Sequence, residues 1–160
     1  MDFLSESTHR LEEEAKKIEY ELRVVLPKEI HTALAHGDIS ENGEYEAAKE
    51  RQSTLSARLA QIRKRLADLS RIDVTAIPRD RAGLGSRVTV ENVGTGQEVM
   101  YTLVIPETAD GKKNFVSIAS PVGTALLNRK PGDEVTVQAP KGTLEFEVTK
   151  VVTTFGDTLE

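Results

Sequence analysis

A seam of residues at steps of three and four runs from Tyr45 through Ala48, Gln52, Leu55, Leu59, Ile62, Leu66 to Leu69, apolar everywhere except at Gln52. Such spacing specifies a helix that must bury its stripe against another helix, the pattern of a coiled coil. The preceding stretch supplies the partner. Leu11, Ala15, Ile18, Leu22 and Val25 follow the same steps, and Leu26, Ile30 and Ala33 continue the stripe shifted by one position. Between the two stripes lies His36-Gly37-Asp38-Ile39-Ser40. Gly37 is a helix stop, and Asp38 or Ser40 is a helix start. Helices joined by so short a turn run antiparallel and pack on each other. Each arm of roughly 30 residues predicts a hairpin about 45 Å long. Pro27 interrupts the first arm, where it removes a backbone hydrogen bond at a cost of about 3 kcal/mol. Either the helix kinks there or a second helix begins with Pro27 in its first position. The absence of glycine nearby favours the kink.

The period changes in the second half. Residues 87–91 and 98–104 flank Gly94-Thr95-Gly96 and read as a hairpin, 114–119 as a third strand, and 134–138 and 144–152 as a second hairpin around Pro140-Lys141-Gly142. Residues 121–128 read as a short helix with Ser120 as N-cap and Pro121 in its first turn. The expected fold class is α+β: an N-terminal antiparallel helical hairpin, then an antiparallel sheet with one short helix. The expected organisation is a coiled-coil domain over 1–75, a linker over 76–86 where Pro78, Gly83 and Gly85 cluster, and a sheet domain over 87–160. Residues from Thr153 onward are expected to fray.

Composition narrows the function classes. With 38% apolar residues in 160, two thin cores fit better than one thick one. Four Phe, three Tyr and no Trp argue against an aromatic platform for stacking bases. The absence of Cys removes disulfides, thiol nucleophiles and zinc–thiolate sites. The net charge of −5 is spread over both halves and opposes a broad footprint on bare duplex DNA. Nucleic acid would be met locally or through a partner protein. Charges at Asp2, Glu6, Arg10 and Glu12 do not suit a signal peptide, and no uncharged run reaches the ~20 apolar residues of a spanning helix. A soluble, cytoplasmic protein without a membrane partner is expected.

The hairpin turn is the most informative stretch for chemistry. Asp38 and Glu41 stand three apart, on one face of a first helical turn if helix begins at Asp38. At an exposed tip they can supply one or two oxygen ligands to Mg²⁺, which keeps waters and takes its remaining ligands from phosphates. The same spacing is also that of a capping box, with carboxylates complementing the positive helix end. Spacing leaves both readings open. Lys49 and Arg51 lie one to two turns from the tip, and Arg58, Arg63, Lys64, Arg65 and Arg71 lie farther along. These can touch a phosphate backbone or form the solvated, ion-paired face of a coiled coil. His31 and His36 are five apart and do not share a helical face, so a zinc site is not expected. Gly83-Leu84-Gly85 precedes a strand and is no phosphate loop.

The run Gly37-Asp38-Ile39-Ser40-Glu41-Asn42-Gly43-Glu44-Tyr45-Glu46-Ala47-Ala48-Lys49 resembles the tip signature of the bacterial Gre transcription elongation and transcript-cleavage factors. The likeness continues through Ile72-Asp73-Val74, Ser120-Pro121-Val122-Gly123-Thr124-Ala125-Leu126-Leu127, Pro131-Gly132-Asp133-Glu134-Val135 and Pro140-Lys141-Gly142. It is closer to the GreA branch than to GreB, because a long basic patch is missing. The resemblance implies an FKBP-like C-terminal domain that binds the rim of the RNA polymerase secondary channel around Ser120 and Pro121. It implies a coiled coil that enters the channel and stimulates the polymerase's own cleavage of backtracked RNA. Asp38 and Glu41 would be the tip carboxylates that support the second Mg²⁺ of the polymerase active centre and position the attacking water. Ser40, Asn42, Glu44 and Tyr45 would set the tip geometry, and Lys49 and Arg51 would contact RNA or polymerase. The implied partners are RNA polymerase and the nascent RNA 3′ end, with no cofactor held in isolation, Mg²⁺ shared with the polymerase, and a monomeric state. Two departures stand out: Gly43 where Ala is usual, and Lys49 where many relatives have Arg.

Two rival readings carry different predictions. A binding-only secondary-channel regulator or inhibitor would bind polymerase without promoting hydrolysis. A coiled-coil chaperone or prolyl isomerase would need an aromatic-lined pocket, for which the C-terminal half offers Tyr101, Phe115, Phe146 and Phe155.

Overall fold

The computed structural model describes residues 2–36 and 43–160. The chain divides into two compact units, Met1–Ile72 and Asp73–Glu160.

In the first unit, α1 (Asp2–Tyr20) passes through a five-residue π-turn (Glu21–Val25) into α2 (Leu26–Ala35), and α3 (Gly43–Ser70) packs antiparallel on this arm. The 28 residues of α3 make it about 42 Å long at 1.5 Å per residue. The predicted stripes meet: Ala15, Ile18, Leu59 and Ile62 are buried together, with Leu11, Leu22, Leu55 and Leu66 against them. Leu26 and Ala33 are buried farther along. A polar side chain is buried one turn before Leu11. Ser7 is only 1% exposed and its Oγ has no hydrogen-bond partner.

Pro27 is accommodated differently from the expected kink. It stands in the first turn of α2, and the preceding π-turn is bonded from Leu26 N–H to Glu21 O, five residues back. A π-turn inserts one extra residue into a helix. That insertion is the one-position shift between the stripe ending at Val25 and the stripe starting at Leu26.

The second unit is a six-stranded sheet with one helix: β1 (Arg87–Asn92), β2 (Glu98–Val104), β3 (Phe115–Ser117), α4 (Pro121–Leu126), β4 (Glu134–Ala139), β5 (Gly142–Val152) and β6 (Thr158–Leu159). The strand order is β3-β2-β1-β5-β4, with β6 also paired to β5. Alternation along β1 and β4 turns Val88, Val90, Val135 and Val137 inward, where they meet Leu103, Leu126, Phe146, Val148 and Val151. A bulge between Thr89 and Val90 of β1 and the facing residues of β5 leaves Thr149 unpaired, and its hydroxyl donates to Thr89 O at 3.2 Å.

The α+β arrangement stands, but the sheet is mixed rather than wholly antiparallel: β3 runs parallel to β2. The chain reverses twice between them, at Pro106–Thr108 and again at Gly111–Lys113, where Asn114 takes a left-handed φ of 56°. Asp110 and Phe115 exchange backbone bonds of 2.9 and 3.0 Å across the second reversal. Two reversals restore the original direction.

Two other expectations change. Residues read as the end of a linker belong to the sheet unit: Ala82, Leu84 and Ser86 are buried. Ala82 exchanges backbone bonds with Asn128 and Arg129, and Ser86 O accepts from Leu103 N–H at 2.9 Å. The C-terminal residues do not fray. Thr153 is buried and closes a turn with Asp157 that returns the chain as β6. Arg79 bonds Asp157 at 3.1 Å and lies 4.2 Å over the Phe155 ring.

Candidate functional site

Two places matter: the hairpin end of the first unit and the turn into α4 of the second. Asp38, Ser40, Glu41 and Asn42 lie outside the described residues. Their flanks are described. His36 closes α2, with its N–H bonded to Ala33 O at 3.2 Å. Gly43 opens α3, and a Cβ there would meet nothing within 4 Å, so packing does not demand glycine. Glu44 is exposed, Tyr45 is half-buried, and Ala48 is buried against the facing arm. His36 Nδ1 lies 3.2 Å from Glu44 Oε2, across the sequence gap that holds the two tip carboxylates. Sequence reasoning missed this contact. Only the pairing of the two arms brings positions eight apart together.

Lys49 and Arg51 are placed differently from each other. Lys49 is exposed and donates to Gln52 at 3.1 Å. Arg51 forms a two-pronged pair with Glu21 on the other arm, Nε to Oε1 at 2.5 Å and Nη2 to Oε2 at 3.1 Å. That bonding raises the Arg51 pKa further, and Glu29 adds to it. A groove of about 430 Å³ lies beside it, lined by Lys28, Glu29, Thr32, Glu44, Ala47, Ala48 and Arg51. Farther along, Arg58 forks onto Glu14 at 2.8 and 3.0 Å, and Arg63 reaches Glu19 at 2.8 Å. The Arg58 guanidinium holds the Glu14 carboxyl below its ordinary range. These arginines therefore bind the two arms to each other, which is the solvated-face reading of the basic stripe.

In the second unit, Ser120 caps α4: its Oγ accepts from Gly123 N–H at 3.1 Å and donates to Ser117 O at 2.6 Å. Pro121 follows in the first turn and is exposed. Thr124 Oγ1 donates to Ile118 O at 3.1 Å. Gly123 is buried so tightly that a Cβ would come within 1.8 Å of Ser117 O. The result is a stiff turn that presents Pro121 to solvent. The four aromatic residues of this unit do not gather into a pocket. Phe146 is buried edge-on to Tyr101, Phe115 faces Lys113, and Phe155 lies under Arg79.

Among the described residues, no three His, Cys, Asp or Glu side chains form a metal-holding group, and no helix is long and apolar enough to cross a membrane.

Comparison with known proteins decides what these two units belong to. The family described as "Transcription elongation factor, N-terminal" matches residues 4–70. The family "Transcription elongation factor, GreA/GreB, C-term" matches residues 77–153. Transcription elongation factor GreA of Maridesulfovibrio salexigens is 42% identical over 125 residues, covering 78% of either chain. This chain belongs to the GreA/GreB family. GreA of Anaeromyxobacter sp. (strain K) is 41% identical over 142 residues, 89% of this chain and 86% of that one. Among solved structures, GreA factor homolog 1 of Thermus thermophilus aligns over 90% of this chain and 93% of that chain, at 27% identity and a TM-score of 0.42. The two GreA/GreB family matches fall one on each compact unit, and the N-terminal match spans the acidic run.

Proposed function

We propose that this chain binds RNA polymerase, inserts its helical hairpin into the secondary channel and stimulates the polymerase's own cleavage of backtracked RNA. It would act as a cytoplasmic monomer with no hydrolytic activity in isolation. The observation that carries the reading is the match of both units, in order, to GreA/GreB domains, together with Asp38 and Glu41 in the run joining the two arms.

Physical considerations support each part. A two-helix rod of about 42 Å has the slender, elongated form that entry into a pore requires. Cross-arm pairs at Glu14–Arg58, Glu19–Arg63 and Glu21–Arg51 tie the arms together along the rod. Asp38 and Glu41 are oxygen donors, the ligand type Mg²⁺ prefers, and too few for a cage of their own. They therefore suit an ion already shared with a polymerase and its RNA phosphates. Bound there, Mg²⁺ supplies Lewis-acid stabilisation for in-line attack on a phosphodiester. The chain's own contribution is to add negative oxygens at a fixed place and to orient a water. The stiff turn at Ser120 and Pro121 is the expected contact with the channel rim.

Backtracked complexes of a cognate polymerase, with Mg²⁺, test the proposal. Added chain should speed RNA cleavage. Asp38→Asn with Glu41→Gln should abolish the acceleration while polymerase binding persists. Binding with no acceleration by the unaltered chain would mark it instead as a binding-only regulator. Full polymerase affinity after Pro121→Glu would remove the rim assignment.

A further inference from the structure

We propose that His36 is a positioning residue. Its imidazole and the Glu44 carboxylate clasp the two arms at the point from which Asp38 and Glu41 depart. The inference rests on the reading above, and it assigns a role to a histidine that the sequence patterns left without one.

The geometry is direct. His36 is the C-cap of α2 and Glu44 lies in the first turn of α3, with Nδ1 and Oε2 3.2 Å apart. A carboxylate only accepts, so the bond requires the proton on Nδ1. Each group also sits where its helix favours it: an imidazole N–H donor near the negative C-terminal end of α2, a carboxylate near the positive N-terminal end of α3. Glu44 shares its groove with Lys28, Glu29 and Arg51, and Arg51 is forked onto Glu21. Glu21–Arg51 ties the arms farther from the tip, and His36–Glu44 ties them beside the run that holds Asp38 and Glu41.

A tie at this place limits how far the chain ends that carry Asp38 and Glu41 can separate. Catalytic groups lose effect quickly when displaced by about 1 Å. Loss of the clasp should therefore lower the maximal cleavage rate without weakening polymerase binding.

The test has two arms. On the chain alone, the ¹⁵N chemical shift of His36 Nδ1 is compared between the unaltered protein and Glu44→Ala at one fixed pH. A displaced shift is expected, and an unchanged one overturns the clasp. With backtracked polymerase, His36→Ala should reduce the cleavage rate at saturating protein by about two- to fivefold, the range of one exposed pair. The half-saturating concentration should not change. His36→Gln, which keeps an N–H donor, should recover most of the loss. A His36→Ala protein as fast as the unaltered one, or a loss arising wholly from weaker binding, overturns the role. If the unaltered chain does not stimulate cleavage at all, the proposed function fails, and the spectroscopic arm alone decides the clasp.

Discussion

Gly123 shows how a single residue can hold a functional surface in place. Its missing Cβ would collide with Ser117 O at 1.8 Å, Ser117 C at 2.7 Å and Ile118 Cα at 3.0 Å, all backbone atoms that cannot swing aside. Gly123→Ala should therefore displace the 117–123 turn and destabilise the sheet unit by about 3 kcal/mol, the upper range for overpacking. A urea melt followed by circular dichroism measures it. A loss under about 1 kcal/mol would mean the turn relaxes freely. The sequence identified Ser120 as an N-cap and Pro121 as a first-turn residue because both preferences are local. It could not identify Gly123 as obligatory, because the obstacle is β3, which only folding brings alongside. His36 is the same case: residue type and spacing were silent until the second arm supplied Glu44.

At the scale of elements, helices and strands differed in how much they revealed. The three–four stripes specified both arms and their antiparallel pairing, and even the one-position slip at Val25–Leu26 was visible. Its cause was not, since proline, a break and an extra residue all leave similar traces in one dimension. In the sheet, strand positions were legible from alternation and turn residues, but pairing was not. The parallel β2–β3 contact depends on two reversals that no alternation records. Register exposes a further feature. Glu98, Glu91, Glu147 and Glu134 stand directly opposite one another across β2, β1, β5 and β4. Like charges facing across strands destabilise a sheet. Glu147→Lys, between Glu91 and Glu134, should thus raise stability by about 0.5–1 kcal/mol. The gain should shrink in high salt as screening removes it. Urea midpoints at low and high ionic strength check both effects, and a destabilised variant would contradict the argument.

On the scale of the whole molecule, the chain is two units, each with a core of its own kind. The first buries a seam between two helices, and the second buries one face of a sheet under α4. The second unit includes Ala82, Leu84 and Ser86, whose side chains and backbone bonds complete it. A fragment spanning 73–160 should accordingly unfold in one cooperative thermal transition. A fragment starting at 87 should lose that cooperativity. Calorimetry distinguishes them, and equal behaviour of the two fragments would show that the 76–86 segment is a true linker. This boundary was misjudged from sequence because Pro78, Gly83 and Gly85 look like linker composition. Two apolar residues, Ala82 and Leu84, are too few to show a period.

Hydrophobic spacing, turn chemistry and caps act between near neighbours, so one dimension was enough to define a helical hairpin, most strands, the cap at Ser120 and the acidic run between the arms. Contacts between residues distant in sequence needed the folded chain: the parallel strand, the buried end of the supposed linker, the C-terminal β6, the cross-arm arginine pairs and the His36–Glu44 contact. The physical reason is common to all of these. Local preferences depend on a few successive residues. Burial, charge pairing and steric exclusion depend on which distant segment arrives alongside.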